Sequence, residues 1–282
     1  MTPLVAIVAP GAMGSAVARR LHDNGVRVIT SLEGRSPESA TRALNAGMID
    51  VARSGLAKSD IFLSIVPPGN AVSLAEEMTV EFASASHKPV YVDCNAINPQ
   101  TAARVAQIVQ TAGMNYADAG IIGGPPRRGY DGPVFYLSGE CADKILALRD
   151  SGLNCRVLNG GPFAASGLKM SYAGITKGLT ALASMMIIGA ANAGAADELR
   201  AEFARSQPML AAWFERQIPS MFPKAYRWVA EMQEIAAFLN GQPDAEMLFR
   251  AVAGFYAHIA DQSGAPDVEM LSSFFEAAKP AQ

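Results

Sequence analysis

Charge is scarce in this chain, and its scarcity removes several kinds of partner. Only 17% of the 282 residues are Asp, Glu, Lys or Arg, and together they leave a net charge of −3. Acids and bases are interspersed, so there is no basic footprint for nucleic acid and no polybasic face for a membrane surface. Cysteine and histidine are rarer still. Cys94, Cys141 and Cys155, with His22, His87 and His258, show no metal-ligand spacing, which predicts no structural metal. The odd cysteine count predicts a reducing compartment. The first residues lack the basic start and apolar run of an export signal, so the expected location is cytoplasmic. One long uncharged run does occur, the nineteen residues Gly178 to Ala196, near the length that spans a bilayer. Its alanines and glycines make it a weak hydrophobe, and the expectation is a buried helix packed against other helices.

Apolar and small residues are plentiful. Half of the chain is apolar, enough for two domains and a sizeable core. Leu4 to Ala9 (LVAIVA) has the composition of a buried parallel strand, and Pro10-Gly11 bounds it. The following Ala9-Pro10-Gly11-Ala12-Met13-Gly14 is an A-x-G-x-x-G variant of the dinucleotide fingerprint. In such a turn Gly11 lets the backbone approach a pyrophosphate, Gly14 lets the helix pack on the strand, and the helix N-terminus supplies N–H donors. The helix Ala12 to Asn24 and the strand Val26 to Thr30 complete the unit. Its next residues, Ser31-Leu32-Glu33-Gly34-Arg35-Ser36, bear on the cofactor. An acid there suits the ribose hydroxyls of NAD, whereas hydroxyls and an arginine suit the 2′-phosphate of NADP. Ser31, Arg35 and Ser36 favour NADP, with NAD possible, and Glu33 is the contrary residue. A polar turn capping the next helix is the plain alternative.

Strands at Ile61 to Val66 and Val90 to Asp93 end in Pro67-Pro68 and Cys94-Asn95. Strand ends on one edge of a doubly wound sheet converge on the ligand crevice, which makes Val66, Pro67 and Asn95 lining candidates. A short strand over Asn115 to Ala119 leads to a glycine loop, where Gly123 and Gly124 can offer amides to an anionic substrate group. Val134 to Ser138 and Arg156 to Leu158 read as a terminal hairpin or edge strands. From Ala164 on, the pattern is helical almost to the end, with breaks expected near Pro208, Pro219, Pro223 and Gly241-Gln242-Pro243. The expected architecture is α/β: a doubly wound Rossmann domain over residues 1–160, then a long connecting helix and an all-helical domain over residues 161–282.

Lys169 is the only charge from Gly161 to Thr176. Partial desolvation on a tightly packed helix would lower its pKa toward the range of proton exchange. Helical spacing puts Tyr172, Ala173 and Thr176 on its face. The alternative is a snorkelling lysine whose stem covers apolar surface.

With these motifs in order, the chain resembles the β-hydroxyacid dehydrogenase family, which includes 3-hydroxyisobutyrate and 6-phosphogluconate dehydrogenases. The resemblance rests on Ala9 to Gly14, on Asp93 to Pro99 (DCNAINP), on Asp118 to Gly124 (DAGIIGG) and on Lys169-Met170 through Gly174-Ile175. It implies dimers built through the helical domain, and Lys169 as the general acid/base acting on a small polar hydroxy acid or its aldehyde or keto counterpart. Ser31 to Ser36 (SLEGRS) and the Arg-Trp-x-x-Glu-Met pattern at Arg227 to Met232 resemble a less characterised phosphogluconate-dehydrogenase-like branch, which implies NADP. Departures at Ala173, Thr176 and Ile122 remove familiar substrate contacts and point away from hydroxyisobutyrate or 6-phosphogluconate as substrate. Tyr172 keeps an imine reductase on the same fold as an alternative, and a non-catalytic NADP-binding sensor is another.

Overall fold

The computed structural model describes residues 2–261 and 264–276. The chain divides into two compact units, Met1–Met170 and Ser171–Gln282, and the division falls inside one long helix.

The first unit is built on an eight-stranded sheet. Its elements in order are β1 (Val5–Val8), α1 (Ala12–Asp23), β2 (Val28–Thr30), α2 (Pro37–Asn45), β3 (Ile49–Asp50), β4 (Ile61–Ser64), α3 (Ala71–Glu81), β5 (Val90–Asp93), α4 (Pro99–Thr111), β6 (Asn115–Ile122), β7 (Val134–Ser138), α5 (Ala142–Ile145) and β8 (Asn154–Val157). The spatial order is β3-β2-β1-β4-β5-β6-β7-β8, and every neighbouring pair is parallel except β6 with β7. Order therefore reverses between β1 and β4, which opens a crevice at their carboxyl ends. Alternation along β1 splits the core: Val5 and Ile7 face one layer, with Val17 and Leu21 of α1, while Ala6 and Val8 face the other, with Phe62 and Tyr91. Helices cover both faces, which is why the strands read as unbroken apolar runs.

The sheet departs from the expected elements in three places. The edge strand β3 is only two residues long and exposed, too short to leave a periodic signal. β6 continues to Ile122, so part of the expected loop is strand. Of the two readings for the last strands, edge strands hold and the hairpin does not, because β8 returns parallel to β7 at the sheet edge after the intervening α5.

The long helix α6 spans Ala164–Asn192. The second unit continues with α7 (Ala196–Ser206), α8 (Pro208–Met221), α9 (Ala225–Phe238), α10 (Pro243–Ala260) and α11 (Ala265–Glu276). Pro208 and Pro243 each open a helix, where a missing N–H costs nothing. Pro219 does not break the chain as expected. It lies within α8 beside the fully buried Ile218 and Met221, whose packing outweighs the lost hydrogen bond. A break that the composition hides ends α6: Gly194 has φ +72°, and the Ala195 N–H reaches back to the Ala190 carbonyl at 2.8 Å, a left-handed C-terminal cap. The expectation of further helix after residue 276 falls outside the described residues.

α9 and α10 pack together, with Trp228 edge-on to Tyr256 at 5.1 Å. The half-buried Lys177 of α6 pairs with the buried Glu231 of α9 and lies 4.8 Å from the Trp228 ring centre. The Tyr256 hydroxyl donates to the Lys177 carbonyl at 2.6 Å. The run from Gly178 is not buried on all sides. Ala181, Ser184 and Ile187 are covered, but Leu179, Leu182 and Met186 are exposed, continuing a line that starts at Tyr172 and Ile175.

Candidate active site

The turn after β1 has the geometry that an anionic ligand needs. Gly14 is obligatory for packing, since a Cβ there would lie 2.1 Å from the Ala9 carbonyl oxygen. A Cβ on Gly11 would instead enter open space, the side from which a phosphate can approach. Gly11 is the extended N-cap of α1, and no side chain caps that end, so the amides of the first turn, at Ala12, Met13 and Gly14, face outward as donors. Arg42 steadies the loop by donating from Nε to the Pro10 carbonyl at 3.1 Å, a contact between α2 and the turn that spacing along the chain cannot reveal.

A recess of about 180 Å³ follows β2, lined by Ala9, Glu33, Arg35, Arg53, Val66, Pro67 and Glu77 among others. Val66 and Pro67 thus border the crevice beside the fingerprint turn. Ser31 is buried and its hydroxyl has no hydrogen-bond partner among the described residues. Arg35 is exposed. Ser36 caps α2, its Oγ accepting from the Ser39 N–H at 3.3 Å. The uncapped turn and the open side of Gly11 together fit the phosphates of a dinucleotide.

A polar row crosses the sheet at the level where β4 and β5 end, midway along β6. Ser64, Asp93, Asp118 and Ser138 are successive register partners, and all four are buried. Asn95 joins this row. Its Nδ2 donates to Ser64 Oγ at 2.8 Å and to Asp93 Oδ1 at 2.7 Å, and its Oδ1 accepts the Val66 N–H at 2.7 Å. Both amide protons are therefore engaged within the protein, and the side chain fixes the ends of β4 and β5 against each other.

Asp118 anchors the start of α6. Its Oδ2 accepts from the Ser166 N–H at 2.8 Å and from Ser138 Oγ at 3.0 Å, and its Oδ1 accepts from Ser166 Oγ at 2.6 Å. The Ala165 N–H in turn donates to Ser138 Oγ at 3.0 Å. A carboxylate at the first turn also complements the helix dipole. Burial raises the Asp118 pKa, and the bonds from Ser166 and Ser138 counter part of that rise. Gly120 permits the same approach, for a Cβ there would sit 2.6 Å from the Ala165 carbonyl oxygen and 3.2 Å from Lys169 Cβ.

Lys169 follows one turn on, half-buried, with Nζ donating to the Ile121 carbonyl at 3.0 Å. This holds its amine at the carboxyl end of β6, the ligand edge of the sheet. Beyond lie Gly123, with φ +126°, and Gly124, beside which a Cβ would meet nothing. Tyr172 and Thr176 belong to the second unit; Tyr172 is half exposed, and Thr176 Oγ1 donates to the Tyr172 carbonyl at 2.8 Å. Cys94 and Cys155 are poor nucleophiles, because burial pushes the Cys94 thiol well above its usual range and the Cys155 thiol up to about 11. Ser138 and Ser166 are the residues that local pattern did not assign. Asp118 and Gly120 lay within the Asp118 to Gly124 motif, but their contacts with the start of α6 left no signal along the chain.

Residues 4–143 match the family described as the NAD binding domain of 6-phosphogluconate dehydrogenase, and residues 190–259 match a domain of unknown function, DUF1932. No curated protein matches the chain. Among solved structures, a conserved protein of unknown function with structural similarity to 3-hydroxyacid dehydrogenases is 25% identical, with a TM-score of 0.68 over 92% of this chain and 100% of that one. The Mycobacterium tuberculosis 3-hydroxyisobutyrate dehydrogenase, solved with L-serine, is 15% identical, with a TM-score of 0.73 over 97% and 99%. An imine reductase variant from Myxococcus stipitatus, in complex with NAD+, is 17% identical, with a TM-score of 0.57 over 97% and 99%. At 15% and 17% identity, the last two likenesses are likenesses of fold.

Proposed function

Because the chain belongs to the β-hydroxyacid dehydrogenase family, we propose that it is an NADP-dependent oxidoreductase acting on a small polar hydroxy acid or its aldehyde or keto counterpart. The observation that carries this reading is Lys169, held by the Ile121 carbonyl at the carboxyl end of β6 in a unit whose first turn suits a dinucleotide. The fingerprint turn from Gly11 to Gly14 would take the pyrophosphate, and Ser31, Arg35 and Ser36 the 2′-phosphate. Val66 and Pro67 would border the nicotinamide side of the crevice, with Asn95 keeping that edge in shape. When bound, the nicotinamide supplies or accepts the hydride. In oxidation, a neutral Lys169 amine takes the substrate hydroxyl proton as hydride leaves the same carbon; in reduction, the ammonium returns a proton to the carbonyl oxygen. Gly123 and Gly124 offer backbone amides to an anionic substrate group, and Tyr172 and Thr176 are proposed to help orient the substrate oxygen. NADPH consumption measured against aldehydes, keto acids and cyclic imines tests the reading. Turnover of keto acids or aldehydes supports it, turnover of cyclic imines alone replaces it with imine reduction, and binding without turnover replaces it with a sensor.

Cofactor preference gives a separate expectation. NADP(H) binds more tightly than NAD(H), and Arg35→Ala erases most of that difference while leaving NAD(H) affinity nearly unchanged. Equal affinities in wild-type calorimetry would contradict it.

We also propose a cytoplasmic homodimer. Tyr172, Ile175, Leu179, Leu182 and Met186 form an exposed apolar line at alternating spacings of three and four along α6, the pattern of a helix that packs on another. Light scattering at micromolar concentration is expected to give twice the chain mass, and a monomer mass throughout would rule the dimer out.

A further inference from the structure

The recess after β2 holds an acid that a phosphate site should not tolerate. A carboxylate at the end of the second strand suits ribose hydroxyls and repels a 2′-phosphate, yet Glu33 lines this recess together with Arg35 and Arg53. Arg53 accounts for it. The Glu33 Oε1 accepts the Arg53 main-chain N–H at 3.2 Å, and Oε2 lies 3.6 Å from the Arg53 Nε. The same guanidinium bonds Glu77 Oε2 on α3 at 3.1 Å and approaches the Glu33 carbonyl at 3.5 Å. Arg53 opens the 3-10 turn Arg53–Lys58 before β4, so the Glu33 carboxylate is held against that wall of the recess. The charges then balance: Glu33 and Glu77 against Arg35 and Arg53. Without Arg53, two carboxylates would face one guanidinium.

We propose that Arg53 is a specificity-determining residue for the cofactor: it neutralises Glu33 and holds it to one wall, so that a ribose 2′-phosphate is admitted to the recess beside Arg35. The proposal rests on the NADP reading and adds a requirement that Arg35 alone does not supply. Arg53 is a positioning residue here, acting through Glu33, and the paired side chains are 33% and 55% exposed, so substitution leaves the core untouched.

The test is calorimetry with adenosine 2′,5′-bisphosphate and with AMP, which report on the recess without any turnover. Wild type, Arg53→Gln, Glu33→Gln and the double variant are compared by their ratio of bisphosphate to AMP affinity. Arg53→Gln is expected to lower that ratio by at least about tenfold, because it leaves a like charge facing the phosphate. Adding Glu33→Gln is expected to bring it back to within about threefold of wild type, since the repulsive element is then gone. A ratio unchanged in Arg53→Gln overturns the proposal. So does a loss that Glu33→Gln fails to restore, which would make Arg53 a direct phosphate ligand. Equal wild-type affinities for the two nucleotides would instead remove the NADP reading, and the Arg53–Glu33 coupling would still be read from the four ratios.

Discussion

Lys169→Met lowers turnover by at least about a hundredfold, the lower end of what a general acid or base contributes. Methionine keeps much of the stem volume, so NADP(H) affinity and the melting temperature are expected to stay close to wild type. The lost group is the amine that donates to the Ile121 carbonyl, and that acceptor lies at the ligand edge where water can replace the bond. Tyr172→Phe is the companion measurement. A large loss with Lys169→Met and a small one with Tyr172→Phe support proton transfer by the lysine. The reverse pattern moves the assignment to imine reduction with the phenol as proton donor, and unchanged turnover in Lys169→Met takes this lysine out of the mechanism.

Asp118→Ala is expected to cost roughly 3 kcal/mol of stability. It leaves the Ser166 N–H, the Ser166 hydroxyl and the Ser138 hydroxyl without their acceptor, each worth about 1–3 kcal/mol when buried and unmade, with some relief from water entering the space. Denaturant unfolding measures it, and a loss below about 1 kcal/mol would show that the start of α6 is held by other contacts. Turnover is expected to fall as well, since Lys169 sits one turn beyond Ser166. The neutral variant Asp118→Asn isolates the charge. Burial raises the folded pKa of Asp118 above 3.8, so folding favours the protonated form relative to the unfolded chain. The contribution of this carboxyl is therefore greatest below its unfolded value and fades as pH rises through the folded one. The stability of wild type relative to Asp118→Asn should fall upward from about pH 4 and then level off. A relative stability that rises with pH over that range would contradict the assignment of the raised pKa to Asp118.

The first half of the fold was legible because it is written locally. β1, the turn at Gly11 and Gly14, α1 and β2 follow one another within thirty residues, and each has its own signal in apolar runs and glycine position. Prolines were legible where they open helices, at Pro208 and Pro243. Pro219 was not, because the packing of Ile218 and Met221 decides that turn. Likewise β3 and the parallel return of β8 depend on partners that only the sheet supplies.

The candidate site divides along the same line. By itself the sequence determined which residue types were available: a glycine turn for phosphates, hydroxyls and an arginine after β2, and a lone lysine in a small-residue helix. Tertiary structure alone decided what each of them meets. It set Asp118 under the amides of α6, brought Gly120 close enough to let Lys169 reach the Ile121 carbonyl, engaged the Asn95 amide protons within the sheet, and paired Glu33 with Arg53 from twenty residues away. Hydrogen bonds and charges act over a few ångströms of space whatever the separation along the chain, and periodicity carries no record of contacts between elements.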